Sequence, residues 1–172
     1  MSTQAMIVLG IDPGTASTGF GVVRNHGSRL QALESGVIAT PAGEPLERRL
    51  ADIHVATIEL IDRHAPDALA IEELYFGANV RTAFAVGQAR GVVLLAAGQR
   101  DIPTRSYTPQ QVKAAVCGHG RADKDQVARM VARLLALTES DSPASDHAAD
   151  ALAVALCDLN RAPLAAAVAT AT

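Results

Sequence analysis

Three carboxylates in this chain stand where carboxylates are costly. Asp12 interrupts the run IVLGIDPG, whose residues 7, 8, 9 and 11 are apolar. Glu72 nearly closes a second apolar run, DALAIEE, at 67–73. Asp150, with Asp146 and His147 beside it, breaks into the otherwise apolar SDHAADALAVAL. An unpaired carboxylate taken out of water needs hydrogen bonds, a cation or a reaction to serve. Each residue also has an ordinary reading. Asp before Pro-Gly makes a good turn, Glu72 can close a strand in a salt bridge, and His147 can cap or fill a helix. Together they offer different chemistry. If Asp12, Glu72 and Asp150 approach within about 5 Å, each pair repels by roughly 3 kcal/mol at an effective dielectric of about 20. Such a cluster holds protons or divalent cations. Oxygen ligands with waters left in place suit Mg²⁺ or Mn²⁺, and a pair of such ions can activate water and clamp both oxygens of an in-line phosphoryl displacement.

The elements must bring these groups together. Apolar alternation predicts strands near 6–12, 17–25 and 30–39, joined through PGT and NHGS as an antiparallel meander. Leu46, Leu50, Ile53, Leu60 and Ile61 recur at helical spacing ahead of Pro66. DALAIEE then reads as a buried strand, LYFGANV as a loop, 81–100 as a helix and IPTRSYT as a strand. Pro109 opens a short helix to about 116, GHGRA is a loop, and DKDQVARMVARLLAL and SPASDHAADALAVALCDLNR are helices. This order predicts an α/β fold, three layers α/β/α around a five-stranded mixed sheet, over residues 1–160, followed by an Ala-rich flexible tail at 161–172. Sites in such sheets collect where strands end, so Asp12 and Glu72 converge if the first and fourth strands are neighbours. On the last helix His147 and Asp150 are three apart and Asp146 and Asp150 four apart. Either pair can share a face, and spacing leaves open which of the two joins the cluster.

A length of 172 residues suits one domain with a full core, and 49% hydrophobic against 19% charged residues argues against global disorder. The apolar runs ALAVALC and VVLLAA are too short to cross a bilayer, and MSTQA carries no basic residue ahead of MIVLGI, so a cytoplasmic protein without a membrane role is expected. Cys117 and Cys157 form no CxxC or Cys/His pattern and read as free thiols. The net charge of −3 hides a segregation: residues 81–133 hold nine of the fifteen Lys and Arg but three acids, which is +6 against −9 for the remainder. One basic face for a polyanion fits this, as do solvated helix faces.

The motifs GIDPGTASTGFGVV, AIEELYF, GQARGVV, PQQVK to ADKDQV and SDHAADALAVAL, in this order over nearly the whole chain, resemble the RuvC Holliday-junction resolvases. The resemblance implies an RNase H-like fold, a homodimer, Mg²⁺-dependent symmetrical nicking of four-way DNA junctions in recombination and repair, and partnership with the RuvA and RuvB branch-migration proteins. It implies that Asp12, Glu72 and Asp150 are metal-holding catalytic acids. His147 falls where some members carry Asp, which bears on whether Mn²⁺ is favoured and whether His147 or Asp146 completes the shell. Tyr75 takes the place of an aromatic that stacks on a base near the cut, with core packing as its ordinary reading. Lys113 and Lys124 match lysines near the scissile phosphate, and Arg81, Arg90 and Arg121 are candidate phosphate contacts. The helix around GQARGVVLLAAG is either the dimer face or buried core.

Three rivals stand beside this reading. DPGTASTG resembles the phosphate hairpin of actin-like and sugar-kinase ATPases, which clamp nucleotide between two such domains where this length provides one. A junction binder without catalysis would not need all three carboxylates. A related nuclease of RNA precursors is shorter and lacks the full motif set.

Overall fold

The computed structural model of the chain describes residues 5–73 and 80–169, the side chains of 162–169 excepted. Strands β1 (Met6–Asp12), β2 (Ser17–His26) and β3 (Arg29–Ala39) form the expected antiparallel meander. Helix α1 (Leu46–His64) follows, with β4 (Ala68–Glu72), α2 (Val80–Gln99) and β5 (Thr104–Tyr107) after it. β4 lies parallel to β1 and β5 parallel to β4, giving the order β3-β2-β1-β4-β5. Helices α3 (Pro109–Cys117), α4 (Lys124–Leu134) and α5 (Asp146–Ala169) complete the chain.

Strand alternation sorts the core into two layers. Leu9, Ile11, Val22, Leu69 and Ile71 face α1 and α2, where they meet Ile53, Leu60, Ile61, Ala89 and Val93. Val8, Val23, Ala68, Ala70 and Tyr107 face the other way, against α3, α4 and α5. Each Val, Leu or Ile side chain so buried contributes about 1.5–3 kcal/mol. Helix α5 is the middle of that second layer, and Ala151 to Leu159 are all buried, because the sheet covers one side and α3 and α4 the other. It lies unusually close to the strands. A Cβ on Gly10 would strike the main chain of Ala151 and Ala155, and one on Gly21 would come within 2.8 Å of Leu152.

Two boundaries differ from expectation. α5 begins at Asp146 rather than near 142, because Glu139–Asp141 form a 3-10 turn and Pro143 follows it. Its backbone stays helical to Ala169 across the stretch expected to fray, which suits alanine, the strongest helix former. Helix α2 is, by length and composition alone, apolar enough to cross a membrane. Here one side of it packs on the sheet through Ala83, Ala89, Val93, Ala96 and Ala97, while Val80, Phe84 and Leu95 are exposed. The two cysteines are free.

Candidate active site

Parallel pairing puts the carboxyl ends of β1, β4 and β5 on one edge of the sheet. Ile11 pairs with Ile71 and Glu72 with Tyr107, so Asp12 and Glu72 end adjacent strands side by side. Both continue the face of the sheet that α5 covers, since Ile11 and Ile71 point the other way. The turn after Asp12 is closed by Thr18, whose buried hydroxyl donates to the Gly14 carbonyl at 2.6 Å. Gly19, paired with Asp12 across β1 and β2, lets α5 descend further: a Cβ there would collide with the His147 carbonyl. The first turn of α5 is thereby pressed onto the strand ends, bringing His147 and Asp150 to the acids.

Helices α3 and α4 bring cations to the same edge. Thr108 caps α3 by accepting from the Gln111 amide at 3.2 Å while the Gln111 side chain accepts from the Thr108 amide, and Pro109 sits in the first turn. Asp123 and Gln126 repeat the device at the start of α4. Lys113 stands one turn into α3 and Lys124 opens α4. With Glu72 and Asp150 they line a cleft of about 250 Å³ walled by Val112 and Val127.

The charges in and around the cleft are strongly coupled. Burial, then the negative charges of Asp12 and Asp150 and a hydrogen bond shared with Asp12, push the Glu72 carboxyl from an ordinary 4.5 up to about 7, against the pull of Lys113. Burial also raises Asp150, opposed by the Lys124 ammonium and reinforced by Asp12. His147 Nδ1 lies 2.8 Å from Asp12 Oδ2. Lys124 Nζ lies 3.1 Å from Asp146 and 3.6 Å from Asp150. Asp146 and His147, alternatives by spacing, thus take different partners: the histidine reaches the acid of β1 and the aspartate reaches a lysine. Among the described residues no three His, Cys, Asp or Glu groups are drawn into a ready-made cage. The acids are instead held by a proton, a histidine and an ammonium. Three carboxylates that together retain a proton near neutral pH, with one imidazole beside them, fit a divalent cation, which would take over that neutralisation.

The remaining candidates are dispersed. Arg81 and Arg90 stand on α2, across the sheet from the cleft. The Arg90 guanidinium donates to Ser106 Oγ at 2.6 Å, and its Nε is buried with no hydrogen-bond partner among the described residues. Arg121 is exposed between α3 and α4. Tyr75 lies outside the described residues. Reading the sequence missed a second polar group. Asp158, fully buried on α5, accepts from Arg105 at 2.6 and 2.7 Å and from the Tyr107 hydroxyl at 2.7 Å. Its signal was of the kind that singled out Asp12, an acid inside the apolar run ALAVALCDL.

A mixed five-stranded sheet in this order, with acids gathered where its parallel strands end and helices on both faces, defines the RNase H-like class. The family model described as "Crossover junction endodeoxyribonuclease RuvC" matches residues 8–158, and the chain belongs to that family. The RuvC of Moorella thermoacetica is 53% identical over 158 residues, spanning 92% of this chain and 93% of the relative. That of Thermomicrobium roseum is 53% identical over 152 residues, 88% and 91% of the two chains. Among solved structures, T. thermophilus RuvC in complex with Holliday junction substrate superposes with a TM-score of 0.88 at 40% identity, covering 93% of this chain and 96% of that one.

Proposed function

We propose that this protein resolves four-way DNA junctions by paired, symmetrical, divalent-metal-dependent nicks, using the acids at the sheet edge. The observation that carries the reading is the Glu72 carboxyl, raised to about 7 by burial beside Asp12 and Asp150 in a cleft that two lysines also line. Asp12, Glu72, Asp150 and His147 would hold Mg²⁺ or Mn²⁺, two ions to a site. Bound there, such ions would supply Lewis acidity at the phosphodiester and a lowered pKa for the attacking water.

The chain's own groups do the rest. The carboxylates orient the attacking water and, ionised, accept its proton. Lys113 and Lys124, point charges on flexible stems, meet the negative charge that builds on the phosphate in the transition state. Hydrogen bonding between Asp12 and His147 holds the imidazole in one orientation and tautomer. Tyr75 stacks on a base near the cut, and Arg81, Arg90 and Arg121 contact phosphates.

The nuclease domain is residues 1–160, and 161–172 contribute no site residue. Two copies pair through α2, whose Phe84 and Leu95 are 69% and 55% exposed, so that both strands of the junction are cut. The protein works in the cytoplasm with the RuvA and RuvB branch-migration proteins. The test compares a labelled four-way junction with a linear duplex of the same sequence, with Mg²⁺ and with EDTA. Mg²⁺-dependent cutting of the junction alone is expected. Equal cutting of the duplex, or cutting in EDTA, overturns the reading.

A further inference from the structure

Asp146 is the one acid of the SDHAADAL motif without a part in this reading, and it is not idle. Its carboxylate lies 3.1 Å from Lys124 Nζ, closer than Asp150 at 3.6 Å. The two acids hold the lysine from different sides. Asp150 lines the cleft with Lys124, whereas Asp146 is 78% exposed on the first turn of α5 and reaches the ammonium from outside the cleft.

We propose that Asp146 is a positioning residue that anchors Lys124 over the cleft once Asp150 has been taken up by catalysis. This rests on the reading of Asp150 as a cation-holding acid and of Lys124 as the group that meets the phosphate. When a divalent ion claims the Asp150 carboxylate, Lys124 loses its partner inside the cleft. A lysine at the start of α4, with four rotatable carbons and no ion pair to any other acid among the described residues, would then swing into solvent. Asp146, outside the cleft and adjacent to His147 in the chain, is the remaining anchor, and it holds the ammonium at the mouth where the phosphate enters. The arrangement also accounts for the choice between neighbours. His147 points to Asp12 and Asp146 to Lys124, so one turn of helix serves the acid half and the lysine half of the site at once.

The chain contains only two lysines, Lys113 and Lys124, so a protein labelled with ¹³C-lysine shows two ε-methylene signals, assigned by Lys113→Arg. In the metal-free protein Asp146→Asn should increase the mobility of the Lys124 signal and leave that of Lys113 unchanged. In single-turnover cleavage of a synthetic four-way junction at saturating protein, Asp146→Asn should lower the rate about two- to five-fold, the range expected for an exposed ion pair. Asp146→Glu should restore it, and junction affinity and the Mg²⁺ concentration for half-maximal rate should not move. In a Lys124→Met background Asp146→Asn should cause no further loss. A loss that persists in that background, or a raised Mg²⁺ requirement, makes Asp146 act on the metal or the helix and overturns the proposal. So does a faster Asp146→Asn protein, which would mean the pair withholds the lysine. If Lys124→Met alone cleaves at the normal rate, the assignment of Lys124 fails and takes this one with it. That outcome is told apart by the Lys124→Met rate itself.

Discussion

Replacing Glu72 by glutamine should make the metal-free protein more stable at alkaline pH. The Glu72 carboxyl has an ordinary value of 4.5 in the unfolded chain and about 7 in the folded one, so between these values the folded state binds the extra proton. Stability therefore falls as pH rises through that window, and the whole penalty is present above it. At about 1.4 kcal/mol per pH unit, the gap comes to about 3.5 kcal/mol as an upper bound. Glutamine keeps the shape and the burial and removes the ionisation. For a chain of this size about 3.5 kcal/mol corresponds to roughly 7–14 °C in Tm. Thermal unfolding followed by circular dichroism in EDTA should show that gain at pH 8 and its disappearance near pH 4.5. Excess Mg²⁺ should reverse the order, because an ion bound to the folded state alone stabilises the wild-type protein by mass action and the Glu72→Gln protein less. A Glu72→Gln protein no more stable than wild type at pH 8 in EDTA refutes the argument. So does a gain of the same size at both pH values.

Asp12→Asn and Asp150→Asn should each abolish junction cleavage, while gel-shift affinity in EDTA holds or rises, since removing negative charge cannot weaken attraction to phosphate. Asp158→Asn should cost about 2–4 kcal/mol in urea unfolding at neutral pH, because Arg105 and Tyr107 lose their shared acceptor in the core. Gly10→Ala should destabilise by about 1–3 kcal/mol or more and remove cleavage by lifting α5 off the strands, whereas Gly98→Ala, whose Cβ meets nothing within 4 Å, should stabilise by about 0.5–1 kcal/mol in the same assay.

Much of this architecture is legible before folding. Alternation in β1 to β3 and the 3.6-residue pattern of α1 are local signals, and the structure has all five strands and the helices between them where those signals lie. The convergence of Asp12 and Glu72 depended on one further step, that the first and fourth strands be neighbours, and the pairing of Ile11 with Ile71 supplies it. What stayed hidden is of two kinds. Asp146 and His147 are consecutive, about 100° apart on a helix, so either can share a face with Asp150. In the structure His147 meets Asp12 and Asp146 meets Lys124, a difference that no spacing reveals. Asp158, Arg105 and Tyr107 come from elements far apart in the chain. Their pairing requires knowing that β5 is the sheet edge under α5, a fact of topology rather than of composition. Arg90, a candidate phosphate contact by sequence, also donates to Ser106 across the layer, a pairing that sequence does not show.

The glycine-lined contact between α5 and the strands divides the site by the kind of support each half receives. Asp12 and the first turns of α5 meet where Gly10, Gly19 and Gly21 let the helix main chain close on β1 and β2. Lys113 and Lys124 rest on α3 and α4, which are held by the small valines Val112, Val116, Val127 and Val131. Side-chain packing yields to heat and mild denaturant before a backbone contact of this kind does. On warming, the protein should therefore lose its ammonium groups from the cleft first and pass through a state that still gathers its acids around an ion but no longer turns over.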